Sequence, residues 1–217
     1  TKAAHEVCAN GGFDLAHAAG NLKLELHDWN ADFACWCSYK YLNSGPGGVA
    51  SVFVHERHHG KGLPLFAGWW GHDKQDRFKM EPVFKPMPTA EAWQVSNAPV
   101  LSMAVHRVAL EQFDRAGMDR LRSKSEQLTG YLEFIVHEVA RSTNTNLEII
   151  TPSNPKQRGA QLSVLAHGKG KYLFDALTTK GVVADWREPN VIRMAPVPMY
   201  NSFEDVYRFG QILQECM

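Results

Sequence analysis

Lys40 is the residue whose position most suggests chemistry. It follows an apolar, aromatic segment, residues 33–39, and precedes a turn rich in small residues, residues 41–48. A strand that carries a lysine to such a turn lets a bulky planar ligand approach the backbone closely. Burial there would favour the neutral, nucleophilic form of the amine. Lys40 is therefore predicted to condense with an aldehyde.

A carboxylate lies at the end of an earlier short apolar segment. Asp14 follows Phe13, and His17 comes three residues later. An aspartate and a lysine on successive strands suit pyridoxal 5'-phosphate, because the lysine forms the Schiff base while the carboxylate keeps the pyridine nitrogen protonated. Taken singly, Lys40 fits an exposed turn lysine and Asp14 a helix N-cap. The pair favours the cofactor site.

Composition excludes several classes of partner. The 217 residues include 23 basic and 23 acidic side chains, so the net charge indicates neither nucleic acid nor an anionic membrane. No stretch approaches the roughly 18 apolar residues of a transmembrane helix. The first residues lack both an initiator Met and the apolar core of a signal peptide, so we expect the chain to begin mid-protein.

The four cysteines are predicted to be buried free thiols in a reducing, cytoplasmic setting. Cys35 and Cys37 are two apart with apolar neighbours, which places them on one face of a strand. His55, His58 and His59 have the spacing of a helical metal site. No obvious carboxylate or thiolate completes that site, so we expect solvated loop histidines and no metal.

The hydrophobic pattern predicts an α/β fold in two parts, residues 1–97 and 98–217. The first part should hold strands at 11–14, 32–38 and 48–55, a short helix over 15–26, and a loop-rich, aromatic segment over 57–97. The second should open with helices from 98 to 141, broken at 116–118. It continues with strands at 147–151, 161–165, 182–186 and 191–195, and with helices over 172–180 and after Ser202, the last with a near capping box at Asp205.

Several ordered sequence blocks resemble the kynureninase family. They lie along essentially the whole chain with compatible spacing: residues 14–21, 27–29, 32–43, 67–72 with Arg77 and Phe78, 93–97 and 193–203. Kynureninases are fold-type-I pyridoxal phosphate enzymes, similar in architecture to aminotransferases. The resemblance implies the end of a large-domain sheet followed by a small C-terminal α+β domain.

The resemblance also implies an activity and its residues. Kynureninases hydrolyse L-kynurenine or 3-hydroxykynurenine to anthranilate or 3-hydroxyanthranilate plus L-alanine, in tryptophan catabolism and NAD biosynthesis. Lys40 and Tyr39 are the implied catalytic residues and also contact the cofactor. The other implied cofactor contacts are Asp14, His17, Trp69 and Asn97, the last two reaching the neighbouring subunit of a homodimer. Arg193 would bind the substrate carboxylate, with Trp70 and His72 near its aromatic end.

Length is the largest departure from that family. Kynureninases are about twice as long, so we expect this chain to be a C-terminal fragment with an incomplete site. Two alternatives stay open on the sequence. One is another fold-type-I enzyme, an aminotransferase or a cysteine desulfurase, although Cys35 and Cys37 lie in a predicted strand rather than on a reactive loop. The other is an inactive fragment that acts only in dimerisation.

Overall fold

The structure is a computed structural model that describes residues 1–217 and divides into two compact units, Thr1–Arg115 and Ala116–Met217. In sequence, the two units meet between Arg115 and Ala116, which is C-terminal to the predicted boundary between residues 97 and 98. The helix that follows residue 98 clusters with the first unit, so the earlier boundary stays a prediction about the domains of the protein.

The first unit is built on a three-stranded sheet in the order β1 (Gly12–Asp14), β2 (Phe33–Cys37) and β3 (Ala50–Val54). β1 pairs with β2 in parallel, with Asp14 opposite Cys35, whereas β2 and β3 are antiparallel. All three predicted strands are confirmed. Because β1 and β2 run in the same direction, the residues that follow their carboxyl ends emerge at one edge of the sheet.

The predicted helix over residues 15–26 is wrong. The segment forms hydrogen-bonded turns, in which the amides of Ala18 and Ala19 donate to the carbonyl of Leu15. Gly20 interrupts any helix because its φ is +79°, a left-handed value that glycine tolerates. A Cβ there would also lie 2.8 Å from the Tyr41 backbone, so the turn packs directly against the residue after Lys40.

A buried carboxylate holds the opposite end of β2. Asp32 immediately precedes the strand and accepts hydrogen bonds from the Gly11 amide (2.7 Å) and Arg57 Nη2 (2.5 Å). The Nε2 atoms of His5 and His58 lie 2.8 and 2.6 Å from its two oxygens. Burial by itself raises the pKa of Asp32, but these partners outweigh burial and hold the pKa far below its usual range.

The prediction that His55, His58 and His59 are solvated is wrong, because His55 is buried and the other two are half-buried. His58 joins the Asp32 cluster, and His59 Nε2 lies 3.1 Å from the carbonyl of Val54. A guanidinium already shares the Asp32 carboxylate, because Arg57 donates to Oδ1. The cluster is thus an ion-pair network that ties β2 to the helix α1 (Lys2–Glu6) and to a short 3-10 helix, Glu56–His58.

Two long helices follow a loop-rich segment, as predicted. The segment contains one further 3-10 helix, Ala90–Trp93, and leads to α2 (Val100–Ala116) and α3 (Met118–Thr143). Gly117 separates the helices at φ +78°, which confirms the predicted break. No helix of the structure combines the length and the apolar character that a membrane span requires.

The second unit packs α3, α4 (Gly170–Thr179) and α5 (Phe203–Glu215) with a four-stranded sheet. The strands are antiparallel in the order β4 (Leu147–Ile149), β5 (Leu162–Ala166), β7 (Val191–Met194) and β6 (Asp185–Arg187). A short 3-10 helix, Pro155–Gln157, lies between β4 and β5. The predicted strands and helices of this unit are confirmed within a few residues at their ends.

One apolar core spans the second unit. Leu128, Leu162, Leu173, Leu177 and Ile192 are its most deeply buried large side chains. Helices α3 and α5 approach closely, since a Cβ on Gly210 would lie 2.7 Å from a methyl carbon of Ile135. Ser202 and Asp205 form the complete capping box at the start of α5.

Candidate functional site

Two groups of predicted site residues lie in the first unit, and Arg193 lies in the second. The first group, here called the lysine cluster, comprises Asp14, His17, Tyr39 and Lys40. The second, the tryptophan turn, comprises residues 69–72. No hydrogen bond, ion pair or ring contact joins Lys40 or Tyr39 to Trp69, Trp70 or His72 in the structure.

The lysine cluster forms where β1 and β2 end. Asp14 is the last residue of β1, and its Oδ1 accepts the amide of Ala16 at 2.9 Å. β2 ends at Cys37, and Lys40 follows three residues later. Lys40 Nζ lies 3.3 Å from His17 Nε2, so the segments after the two parallel strands bring amine and imidazole into contact.

These side chains are more open to solvent than the sequence predicts. Lys40 is half-buried rather than enclosed, whereas Asp14 and His17 are exposed. Cys35 is likewise exposed and Cys37 half-buried, so the thiols are free, as predicted, but not buried. β1 is an edge strand with few residues over it, which is why its carboxyl end stays open within this chain.

Tyr39 lies next to Lys40 and has a raised pKa. A hydrogen bond with Cys37, followed by the charge of that thiol and by burial, raises the pKa of Tyr39 above its ordinary value. The ring is exposed, and Lys40 Nζ lies 6.0 Å from its centroid. Tyr39 is therefore available as a hydroxyl donor beside the amine at neutral pH.

The turn that carries Lys40 is held by buried hydrogen bonds from residues that the sequence analysis did not identify. Ser44 Oγ lies 2.7 Å from Nδ1 of His106 on α2, and both side chains are buried. The Ser44 amide donates to the carbonyl of Ser38, whose own hydroxyl donates to Val49. His106 lies 62 residues beyond Ser44, so no local spacing could have indicated the pair.

The tryptophan turn is fixed by two glycines. A Cβ on Gly68 would lie 2.4 Å from the backbone of Val95, and one on Gly71 would lie 2.5 Å from the carbonyl oxygen of Ala92. Both distances are too short for any side chain, so the turn packs backbone against backbone. The segment that it contacts, residues 92–95, leads directly to Asn97, which is exposed.

The side chains of the turn contact a following loop. Trp69 meets Phe78 edge to face at 5.9 Å, and His72 meets Phe84 in the same way at 5.7 Å. The guanidinium of Arg77 stacks on Trp70, 4.4 Å from the ring centroid. A cavity of about 320 Å³ is lined by Trp69, His72, Arg77, Glu81, Phe84 and neighbouring apolar residues. His72 Nε2 is buried without a hydrogen-bond partner.

Arg193 lies on β7, directly opposite Asp185 on β6. Its Nε donates to Asp185 Oδ2 at 2.5 Å, and the side chain is mostly buried. Ile192 and Met194 on either side point into the apolar core. The alternation therefore presents Arg193 on the other face of the sheet, as a guanidinium with one edge paired and other N–H groups available.

Comparison with known proteins links the whole chain to one family. Residues 121–213 match the family model described as kynureninase C-terminal domain. A kynureninase from Flavobacterium johnsoniae is 60% identical over 216 residues, 99% of this chain and 51% of that protein. A kynureninase from Myxococcus xanthus is 56% identical over 215 residues, 99% of this chain and 50% of that protein. The chain thus spans about half the length of the curated relatives that it matches.

Solved structures with low sequence identity share the fold. The apo cysteine desulfurase from Thermococcus onnurineus superposes with a TM-score of 0.77 at 19% identity, covering 99% of this chain and 54% of that one. An alanine–glyoxylate aminotransferase from Nostoc gives 0.66 at 16% identity, with 99% and 55% covered. A C-DES mutant with glycine covalently linked to its PLP cofactor gives 0.75 at 17%, with 91% and 49% covered. These likenesses confirm the predicted fold class: an α/β, fold-type-I PLP-dependent transferase-like architecture.

Proposed function

The chain belongs to the kynureninase family, and from that premise we propose that its residues serve the hydrolysis of L-kynurenine or 3-hydroxykynurenine to an anthranilate and L-alanine. The family relatives, at up to 60% identity along nearly the whole chain, support this activity. The structural observation that carries it is the lysine cluster, in which a carboxylate ends one of two adjacent parallel strands and an amine follows the other.

The residues of the lysine cluster fit pyridoxal phosphate. Lys40 offers a half-buried amine for the cofactor aldehyde, and the second oxygen of Asp14 is available for the pyridine nitrogen. His17 lies against the same amine and would contact the ring. When bound, the cofactor supplies an electron sink for carbanion chemistry on an amino acid. The exposure of Asp14 and His17 leaves room for a planar group above them.

Lys40 and Tyr39 are the groups that we assign to proton transfer. Once its amine is free, Lys40 Nζ moves the proton at the substrate α-carbon. The neighbouring imidazole of His17 can share that proton, since the two nitrogens are 3.3 Å apart. Tyr39, which is protonated at neutral pH, would donate its proton to the carbon released as the Cβ–Cγ bond breaks. Water adds its hydroxyl to the carbonyl carbon, and the proton that water gives up restores the phenol.

Arg193 binds the substrate α-carboxylate in this proposal. A guanidinium presents a planar fork of donors that matches a carboxylate, and Asp185 fixes the Nε edge of that fork. Trp70 and His72 would contact the aromatic end of the substrate, while Trp69 and Asn97 would contact the cofactor of a neighbouring subunit in a homodimer. The open edge of the lysine cluster is consistent with a site that further protein completes.

Cellular setting and organisation are proposed with the activity. Four free cysteines favour the cytoplasm, where thiols stay reduced. Balanced charge favours a small-molecule substrate over nucleic acid or a membrane. We also retain the division into a large-domain part, residues 1–97, and a linking helix with a small domain, residues 98–217. A cysteine desulfurase is disfavoured, because Cys35 and Cys37 lie within β2 rather than on a mobile loop.

Cofactor binding tests the central assignment. Pyridoxal phosphate added to the protein should give the visible absorption of a lysine-bound cofactor, and borohydride should fix it to a peptide containing Lys40. Lys40→Ala should abolish both signals. Lys61→Ala, which removes an exposed lysine of the same unit, should leave them unchanged. Equal signals in wild type and Lys40→Ala would overturn the assignment.

Substrate turnover tests the reaction itself. Anthranilate formation from kynurenine should be measured for the 217-residue chain alone and for the chain joined to the preceding half of a kynureninase relative. Arg193→Ala should raise KM about 10- to 100-fold, because a hydrogen bond to a charged group contributes that much to binding affinity. Turnover only in the joined protein would identify the chain as an incomplete part of the enzyme. Cofactor binding without turnover in either form would reject the hydrolysis and retain the cofactor site.

A further inference from the structure

Arg77 is tied to the tryptophan turn through three contacts. Its Nη2 donates to the carbonyl oxygen of Trp70 at 2.7 Å and to that of His72 at 3.1 Å. Its guanidinium also lies over the Trp70 ring at 4.4 Å. One side chain therefore contacts the backbone on both sides of Gly71 and one of the aromatic rings of the turn.

No carboxylate forms an ion pair with Arg77. Its guanidinium contacts two carbonyl oxygens and the face of an indole, and its charge also acts at longer range on Glu91. Its Nε is buried without a hydrogen-bond partner. An unsatisfied buried donor is unfavourable, so the other contacts of the guanidinium must outweigh it. A surface ion pair would not explain this arrangement, whereas fixing the turn explains each contact.

The backbone on the other side of the turn leaves it little freedom. Gly71 packs against Ala92, and its carbonyl accepts the amide of Met87 at 2.8 Å. The Asp73 amide donates to Lys85 at 2.8 Å. Arg77 thus completes a set of contacts around residues 69–72, and it does so on the side that faces the 320 Å³ cavity.

We propose that Arg77 is a positioning residue that holds Trp70 and His72 in place for the aryl ring of the substrate. The inference rests on the proposed function and deepens it, because it assigns recognition of the ring to the geometry of this turn. The cavity beside the turn, which His72 lines and Trp70 does not, has a volume within the range of small-ligand sites. Its lining is mainly aromatic and apolar, with Arg77 and Glu81 as the charged members.

Lysine cannot take over this role. Its ammonium is a compact point charge without a planar face, so it cannot stack on Trp70 while donating to two carbonyls on either side of Gly71. Arg77→Lys therefore preserves the charge and removes the geometry. Arg107→Lys is the matched control, because Arg107 is an exposed arginine of the same unit that pairs with Glu111 on the surface of α2.

Ligand binding separates the aryl end of the site from the amino-acid end. Anthranilate and L-alanine, the two products, are titrated against the pyridoxal phosphate-loaded protein and followed by cofactor absorption. Arg77→Lys should weaken anthranilate binding about 10-fold and leave L-alanine within about 2-fold. Arg193→Ala should weaken L-alanine instead, and Arg107→Lys should change neither. Wild-type affinity for anthranilate in Arg77→Lys, or equal losses for both ligands, would overturn the proposal.

Hydrogen exchange keeps the positioning role testable without any ligand. The amides of His72, Asp73 and Met87 are all hydrogen-bonded around the turn. Arg77→Lys should speed their exchange about 10-fold, while amides of β2 and β3 exchange as in wild type. Trp70→Leu, which removes the stacked ring and leaves the carbonyls, should give a smaller increase. Unchanged exchange in both variants would reject the role of Arg77. If wild type binds neither product but exchange is faster in Arg77→Lys, the proposed function and its aryl ligand are rejected. The role of Arg77 in fixing the turn is then retained.

Discussion

The two compact units differ in how they are held together. The second buries a continuous apolar core between its sheet and helices α3, α4 and α5. In the first, fewer apolar residues are buried, among them a small cluster of Leu26, Ala31 and Ala34, the last on β2. The Asp32 network adds polar contacts at the start of that strand. Six of the large apolar side chains left exposed lie on one helix of the first unit: Val100, Leu101, Met103, Val105, Val108 and Leu110.

This difference matches the distribution of proposed functional residues. Every member of the lysine cluster and the tryptophan turn belongs to the unit with the smaller core. Arg193 alone belongs to the well-packed unit, where flanking core residues fix its strand. A unit that leaves apolar surface and site residues open gains stability from whatever covers them, whereas a unit with a closed core does not need a cover.

The largest expected effect is in the second core. Leu162 is fully buried in β5, so Leu162→Ala should lower the free energy of unfolding of this unit by about 2–5 kcal/mol through lost burial and a cavity. Urea unfolding followed by hydrogen exchange would assign the loss to residues 116–217. An equal loss of protection in the first unit would show that the two units unfold together, against the contrast drawn above.

Asp32→Asn tests whether polar contacts replace a core in the first unit. Removing the charge leaves Arg57, His5 and His58 around a neutral amide. The free energy of unfolding should therefore fall by about 2–3 kcal/mol. Asp28→Asn is the control, because that carboxylate is exposed. A stability within about 0.5 kcal/mol of wild type would contradict the role of the cluster.

The stability of the protein at acidic pH should also depend on Asp32. Because the folded pKa of Asp32 is depressed, its stabilisation is complete above about pH 4, where the unfolded carboxylate ionises. The contribution is lost as the pH falls below that value toward the folded pKa. Wild type should therefore lose more stability than Asp32→Asn between about pH 4 and pH 2. Parallel losses in the two proteins would assign the acid sensitivity to other groups.

A smaller effect is expected at the start of α5. Ser202 caps the helix by accepting the Asp205 amide, and Asp205 accepts the Ser202 amide in return. Ser202→Ala should destabilise the second unit by about 1 kcal/mol. Thermal melts against Ser153→Ala, an exposed loop serine, would measure it. A change as small as that of the control would mean that core packing alone fixes this helix.

The smallest effect is expected on the exposed face of α2. Leu101 is 84% exposed, so Leu101→Ser should change stability of the isolated chain by no more than about 0.5 kcal/mol. Urea unfolding of the chain alone gives the measurement. A loss above about 1 kcal/mol would show that this face is covered by the chain's own surface or by a second copy in solution.

Local patterns predicted most elements because their signals are short-range. The break at Gly117, the capping box at Ser202 and the alternating strands each depend on a few neighbouring residues, and all are present in the structure. The false helix over residues 15–26 shows the limit of such signals. Its pattern allowed a helix, but Gly20 adopts a left-handed turn because the chain there packs against Tyr41.

Some residues of the candidate site could likewise be predicted from local sequence, whereas others could not. Lys40 and Asp14 could be singled out because a functional group at the end of a strand has a recognisable context. Arg77, His106 and Asp32 could not, since their partners lie up to 62 residues away or are backbone carbonyls that any residue supplies. The extent of burial was also beyond the sequence. Lys40 proved half-buried and Cys35 exposed, because burial depends on which segments cover a strand.

Residue order alone determined the strands, every α-helix after residue 98 and the presence of an amine and a carboxylate near the ends of two strands, since periodicity and capping act over a few residues. It did not predict α1. The tertiary structure decided that His17 contacts the amine, that a guanidinium fixes the tryptophan turn, and that a buried carboxylate ties the start of β2. Those contacts join segments far apart in the chain, and they form only when folding brings the segments within hydrogen-bond distance.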